Sequence, residues 1–328
     1  MLEELMHAQA AELNRVRQLI RKEILADGLL GEMLAHCFER SGKLLRPWFA
    51  ILSARSIKGT ASGLIPTATA LELIHVASLV HDDIMDKSTL RRGLPTVHTR
   101  FGASEALLLG DWLLARAFEL MQQVEREEMR TLFARLTREL CEGQLLELEC
   151  SRSGSINLSR YYRLIELKTA SMFEAACRLG ALANLDSTSR EVEALSGFGL
   201  KFGLFFQIAD DLMDLVSTEE ESGKDCGLDI SNQVRTMPVL KGLELEGSRK
   251  PLSRLLESQN ASRIQSELPE ILQRIGAIEA TWMEARTQVR SALTEIEDLK
   301  LPELLACFEN VARAIGQKAG IPQVLEKF

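Results

Sequence analysis

Proline is scarce: eight in 328 residues. Few positions therefore force a helix to stop, and the abundance of Ala, Leu and Glu favours helix through a low side-chain entropy cost. The six cysteines are Cys37, Cys141, Cys150, Cys177, Cys226 and Cys307, and the closest two stand nine apart. With no C-x-x-C spacing no zinc motif is visible, and the pattern reads as reduced thiols of a cytoplasmic protein. A basic excess is also missing. Lys+Arg minus Asp+Glu is 39 − 47 = −8, which excludes a general nucleic-acid binder, because phosphate neutralisation needs a basic surface. A small phosphorylated substrate needs only a few cations in a cleft and is not excluded. No run approaches the roughly 20 apolar residues that span a bilayer. The first 24 residues read as an amphipathic helix of mixed charge rather than a signal peptide. A soluble, cytoplasmic chain with no transmembrane segment is expected. No Gly/Ser or Pro-rich tract and no short-period repeat divides the sequence, so residues 1–328 read as one domain.

What is present is helical periodicity. Hydrophobic residues make up 46%, ample for a large core, and they recur at helical spacing, as over residues 106–140. The pattern predicts an all-α fold of ten or more helices. Pro47 marks a helix start, Gly93 and Pro95 a loop, and residues 217–233 a second loop rich in Gly, Ser and charge.

One element recurs. "HDDIMD" ends at Asp86 and "ADDLMD" at Asp214, with the first Asp of each pair 128 apart (210 − 82). Each follows an apolar helical run. Asp82 and Asp86 are i and i+4, so their carboxylates share a helix face about 6 Å apart, with Asp83 beside them. Asp210, Asp211 and Asp214 repeat the spacing. Like charges so placed repel, and they oppose the helix dipole at a C-terminus. A single copy could be a solvated acidic helix end. Two copies on apolar helices point instead to bound cations. Magnesium fits, since it takes oxygen ligands and is bound by one or two carboxylates together with substrate phosphates. An EF-hand is disfavoured, because neither copy has the twelve-residue loop pattern with its central Gly.

A metal–diphosphate site also needs cations for the uncovered oxygens. Arg91 and Arg92 follow Asp86 in "RRGLP". Lys43 and Arg46 in "SGKLLRP" share a helix face, and His75 lies about two turns before Asp82. Lys168 in "KTASMFEA" and Lys224 in "GKDCG" are further candidates. Arg suits bidentate phosphate contacts, and Lys acts as a point charge. Any one of them alone reads as a solvated surface group, and His75 alone as a core histidine.

Together these residues resemble the trans-isoprenyl diphosphate synthases. "GKLLRP", "ELIHVASLVHDDIMDKSTLRRG", "GD" at 110–111, "KTA" at 168–170, "FQIADDLMD" and "GKDCGLD" occur in that family's order and spacing between about residues 40 and 240. The resemblance implies an antiparallel helical bundle around a deep central cavity, usually a homodimer. It implies that isopentenyl diphosphate is joined to an allylic diphosphate with magnesium, three ions being held when substrate is bound. By the same resemblance, Asp82, Asp83, Asp86, Asp210, Asp211 and Asp214 are the metal ligands. Lys43, Arg46, His75 and Arg92 form the isopentenyl diphosphate pocket. Arg91, Lys168 and Lys224 contact the allylic diphosphate, while Thr169 and Gln207 lie near the reacting carbons. Catalysis then rests on the aspartates and Lys168: the allylic C–O bond ionises, the isopentenyl double bond attacks the cation, and the departing diphosphate takes the proton.

Two departures stand out. The family commonly reads G-K-x-T-L-P where this chain has Gln233–Pro238, so Val234 holds the lysine position with Arg235 beside it. Ser41 and Leu44 depart from "GGKRLRP". For product length, Ala77 and Ser78 hold the fifth and fourth positions before Asp82, where bulky aromatics in the family give short products. Both are small, and the stretch from Asp86 to Met121 resembles medium- and long-chain enzymes, so a product beyond fifteen carbons is expected. Ile74 and Leu71 could form the floor. Geranylgeranyl or farnesyl diphosphate synthase is the alternative. A class I terpene cyclase would not need the second aspartate motif, and a non-catalytic partner subunit tends to lose aspartates that this chain keeps. The region after residue 240 carries no assignable motif.

Overall fold

This computed structural model describes residues 6–40, 42–153, 156–216, 236–247, 250–258 and 260–321. The expected helices form: fifteen α-helices occur among the described residues. In chain order they are α1 (Ala10–Glu23), α2 (Gly28–Cys37), α3 (Leu45–Ser56), α4 (Leu64–Asp86), α5 (Val97–Phe101), α6 (Ala103–Gln122), α7 (Glu127–Ser153) and α8 (Leu158–Ile165). They continue with α9 (Ser171–Ala183), α10 (Ser189–Val216), α11 (Met237–Leu245), α12 (Pro251–Glu257), α13 (Ala261–Arg274), α14 (Ala277–Glu297) and α15 (Pro302–Lys318).

Helix α4 is central because apolar side chains surround it. Leu71, Leu73, Ile74, Val76 and Ala77 are all buried, whereas a surface helix would bury one stripe. It packs against α3, α6 and α9, and α10 packs against α9 and α14. The expectation that no segment is apolar enough to cross a bilayer is corrected here. α4 and α10 contain windows of mean hydropathy 1.4 and 1.2. Those windows are 67% and 61% buried inside the molecule, so their apolarity serves the interior packing. Phe49 anchors the core, with ring centroids of Phe173, Phe202 and Phe308 at 5.1, 4.8 and 5.1 Å. A smaller apolar cluster, including Val239, Leu252, Leu268 and Leu272, holds α11 to α13 together.

Three local features aim the functional side chains. Helix α4 stops at Lys87, whose φ of 55° is left-handed, and Ser88 N–H donates to the Asp83 carbonyl at 3.0 Å. The chain then folds back as a hairpin, with Leu90–Arg91 paired antiparallel to Leu94–Pro95. Its two turn residues, Arg92 and Gly93, have φ of 52° and 72°, as a tight primed turn requires. Between α8 and α9, residues Glu166–Ala170 form a π-helical turn, a wider turn that recurs at functional sites.

Candidate active site

The first aspartate motif closes α4. Asp83 is 4% exposed, and both its oxygens accept from Arg91 Nε at 2.8 Å, with Arg91 Nη2 at 2.7 Å from Oδ1. Asp82 is turned the other way and faces Lys168 Nζ at 3.9 Å. Burial raises the Asp82 pKa and the nearby Glu147 carboxylate adds to the rise, while the Lys168 ammonium opposes it. Lys168 sits in the π-helical turn and pairs with Glu147 of α7. Burial disfavours its charge, but Asp82 and Glu147 outweigh that and raise its pKa. Gly143 permits this approach, since a Cβ there would lie 2.8 Å from Lys168 Cγ.

The second motif is reached through the next residue. Thr169 Oγ1 donates to Gln207 Oε1 at 2.7 Å, and Gln207 Nε2 donates to Asp211 Oδ1 at 3.0 Å. Asp211 is 5% exposed; its Oδ2 also accepts from Tyr161 Oη at 2.6 Å and from Met237 N–H at 2.8 Å. Asp210 is half-buried and Asp214 exposed.

Arg46 and His75 meet beneath the hairpin. Arg46 Nη1 lies 3.1 Å from His75 Nε2; a guanidinium can only donate, so this ring nitrogen accepts. Burial holds the His75 pKa well below its usual range, helped by Arg46, Arg92 and Arg91. Burial likewise lowers Arg46 to about 10, with Glu72 opposing. Glu72 is itself 4% exposed and is the buried counter-charge of this group. Arg46 also lies over the Phe173 ring at 5.2 Å, a favourable cation–π arrangement. The hairpin tip is tied down by reciprocal bonds: Arg92 Nη1 donates to the Arg40 carbonyl at 2.7 Å, and Arg40 Nη1 to the Arg92 carbonyl at 2.5 Å. Lys43 is exposed just before α3.

A cavity of about 370 Å³ runs down from Asp82 and Lys168 between α4, α6 and α7, lined by Ile74, Ser78, Leu114, Leu140 and Leu148. Ser78 and Ile74 thus stand where product length is set. Ala77 does not: it is fully buried and outside the cavity wall, because one residue along a helix turns the side chain about 100°.

Residues 27–275 match the polyprenyl synthetase family. The chain belongs to this family. It is a trans-prenyl diphosphate synthase with an all-helical fold. It is 37% identical to the geranylgeranyl diphosphate synthase of Methanosarcina mazei over 239 residues, covering 70% of this chain and 73% of that one. It is 33% identical to heptaprenyl diphosphate synthase component 2 of Geobacillus stearothermophilus, over 89% and 90% of the two chains. Among solved structures, the Caulobacter crescentus polyprenyl synthase complexed with calcium and isoprenyl diphosphate superposes with a TM-score of 0.88 at 30% identity, covering 96% and 97%. A divalent-metal requirement accords with that complex.

The site of this prenyl synthase differs from the expected ligand set in two places. Asp83 and Asp211 have their oxygens committed to Arg91 and to the Tyr161, Gln207 and Met237 donors, and so orient the site from within the protein. Lys224, Val234 and Arg235 lie outside the described residues. Among the described residues, no three Asp, Glu, His or Cys side chains are grouped closely enough to hold a metal alone. That fits an ion that takes part of its shell from substrate phosphates. Glu72, Glu147 and Tyr161 were not expected. Each comes from a different helix and carries no local motif, although Glu72 lies three residues before His75, one helical turn away.

Proposed function

We propose that this prenyl synthase extends an allylic diphosphate with isopentenyl diphosphate to products longer than fifteen carbons, using magnesium held by Asp82, Asp86, Asp210 and Asp214. The donor set supports magnesium, because it is all carboxylate and leaves room for phosphate oxygens and water. When bound, the ions neutralise the diphosphate that leaves as the allylic C–O bond breaks. Lys168 carries positive charge to the same leaving group, and Asp83 fixes Arg91 so that its remaining face is turned toward it. Arg46, Lys43 and Arg92 take the isopentenyl diphosphate; neutral His75 accepts from Arg46 and steers its guanidinium. The isopentenyl double bond attacks the allylic cation to form one C–C bond, and the proton lost goes to the released diphosphate. Thr169 and Gln207 border the reacting carbons, and the apolar wall below excludes water from the cation.

The observation that carries the length assignment is the apolar cavity that begins at Asp82 and passes the small Ser78. The protein should be cytoplasmic and should act as a homodimer. Leu107, Leu108 and Leu145 are 52, 65 and 62% exposed. Leu145 also lines the cavity, so a second copy covering this face would close the cavity's outer wall. Incubation of purified protein with magnesium, labelled isopentenyl diphosphate and geranyl or farnesyl diphosphate should give elongated diphosphates. These should disappear with EDTA or with Asp82→Ala. Absence of elongation from every allylic primer, in folded and magnesium-replete protein, would refute the assignment. Turnover appearing only with a second, different polypeptide would instead make the chain one half of a two-component enzyme, as the printed name of the Geobacillus relative describes that protein.

A further inference from the structure

Helix α8 is eight residues long and carries two adjacent tyrosines that point to different parts of the molecule. Tyr161 is 3% exposed and donates its hydroxyl to Asp211 Oδ2 at 2.6 Å. Tyr162 hydrogen-bonds Glu284 and Gln288 of α14, and Glu284 also pairs with Lys241 of α11 at 3.5 Å. The first residue of α11, Met237, gives its backbone N–H to the same Asp211 oxygen at 2.8 Å. The short helix is therefore fastened to the C-terminal helices on one side and to the second aspartate motif on the other. Its start is fixed by Asn157, whose side chain accepts from Arg160 N–H at 2.9 Å.

Asp210 and Asp214 share one face of α10, while Asp211 stands about 100° around the helix. Whatever fixes Asp211 also fixes the rotation of the last turns of α10, and so the direction in which Asp210 and Asp214 point. Burial and the Asp211 carboxylate hold the Tyr161 pKa far above its usual value, so the phenol remains a donor across the working pH range. Without that hydroxyl, Oδ2 would keep only the Met237 N–H among its donors named above. A buried, under-coordinated carboxylate is unstable, and its nearest relief is rotation toward cations in the cleft.

We propose that Tyr161 is a positioning residue for metal binding: it holds Asp211 away from the ions, so that Asp210 and Asp214 alone meet them. This rests on the magnesium-dependent reading above. The test compares full-length wild type, Tyr161→Phe and Tyr162→Phe in two assays. One is the magnesium concentration for half-maximal elongation, measured beside KM for isopentenyl diphosphate. The other is the rise in Tm on adding magnesium with inorganic pyrophosphate, which needs no turnover.

Tyr161→Phe should raise the half-saturating magnesium about tenfold, as expected for loss of a hydrogen bond to a charged group. It should shrink the magnesium–pyrophosphate Tm rise and leave KM for isopentenyl diphosphate unchanged. Tyr162→Phe should lower the basal Tm without changing the magnesium requirement. Asp211→Asn, which keeps the side-chain shape but disrupts the donor set, should reproduce the Tyr161→Phe result and serves if that variant does not fold. Wild-type magnesium dependence in Tyr161→Phe, or equal shifts in both tyrosine variants, would overturn the proposal while leaving the activity assignment intact. A wild type with neither elongation nor a magnesium–pyrophosphate Tm rise would overturn both.

Discussion

Replacing Ser78 with phenylalanine should shorten the product, and the structure gives the scale. Ser78 is four residues before Asp82, so its side chain enters the cavity about 6 Å below the diphosphate site. One isoprene unit adds four main-chain carbons, about 5 Å when extended, given C–C bonds near 1.5 Å. A phenyl ring at this level, in a cavity of about 370 Å³, therefore leaves room for one or two units beyond the reacting carbon. Products should collapse to fifteen carbons or fewer. The first condensation should survive, because Lys168 and the aspartates lie above the ring. Ser78 Oγ donates to the His75 carbonyl at 2.8 Å, and losing that bond costs about 1 kcal/mol, so the protein should remain folded. Radiolabelled products sized after dephosphorylation provide the assay, with Ala77→Phe as control. Ala77 is fully buried outside the cavity, so a ring there overpacks the core and costs about 1–3 kcal/mol. It should lower Tm without shortening the product. Unchanged lengths in folded Ser78→Phe, or shortening by Ala77→Phe alone, would refute the placement of the tunnel.

Three further outcomes are expected. Arg91→Ala leaves the buried Asp83 carboxylate unpaired and should cost about 3 kcal/mol in urea unfolding, with Arg91→Lys recovering only part because it lacks the bidentate fork; a loss below about 1 kcal/mol would mean the pair is dispensable. His75 has a folded-state pKa well below its unfolded value, so below about pH 6.5 the unfolded chain binds the extra proton and stability falls. His75→Gln should remove up to about 1.4 kcal/mol per pH unit of that slope, and unfolding titrations of both proteins with equal slopes between pH 7 and 5 would contradict it. Leu108→Glu and Leu145→Glu should leave each protomer folded, since both positions are largely exposed; light scattering should find monomers in place of the dimer, and an unchanged mass would show that this face is not the interface.

Much of the site was legible because its spacing is local. The i, i+4 aspartates need only helical periodicity to be placed on one face, and the apolar runs before them already mark α4 and α10 as interior helices. Lys168 and Thr169 were recognisable in "KTA", but the π-helical turn that points one at Asp82 and the other at Gln207 was not. Periodicity also read the chain as free of segments that could cross a bilayer. The two central helices reach that hydropathy because they are enclosed by other helices, and enclosure has no local signature.

What the sequence determined by itself was the all-helical class, the two carboxylate motifs and the cations that accompany them, since all follow from residue type and short-range spacing. Tertiary structure decided how each motif divides its labour. Asp83 and Asp211 are turned inward because Arg91, Tyr161 and the Met237 N–H reach them from other elements, leaving Asp82 beside Lys168. It also decided that Ser78 and not Ala77 faces the growing chain, and that Glu72 and Glu147 supply counter-charge to Arg46 and Lys168. The hydrogen bonds among these contacts join residues from 8 to 50 positions apart. Most depend on the rotation and approach of packed helices, which no single helix's sequence fixes.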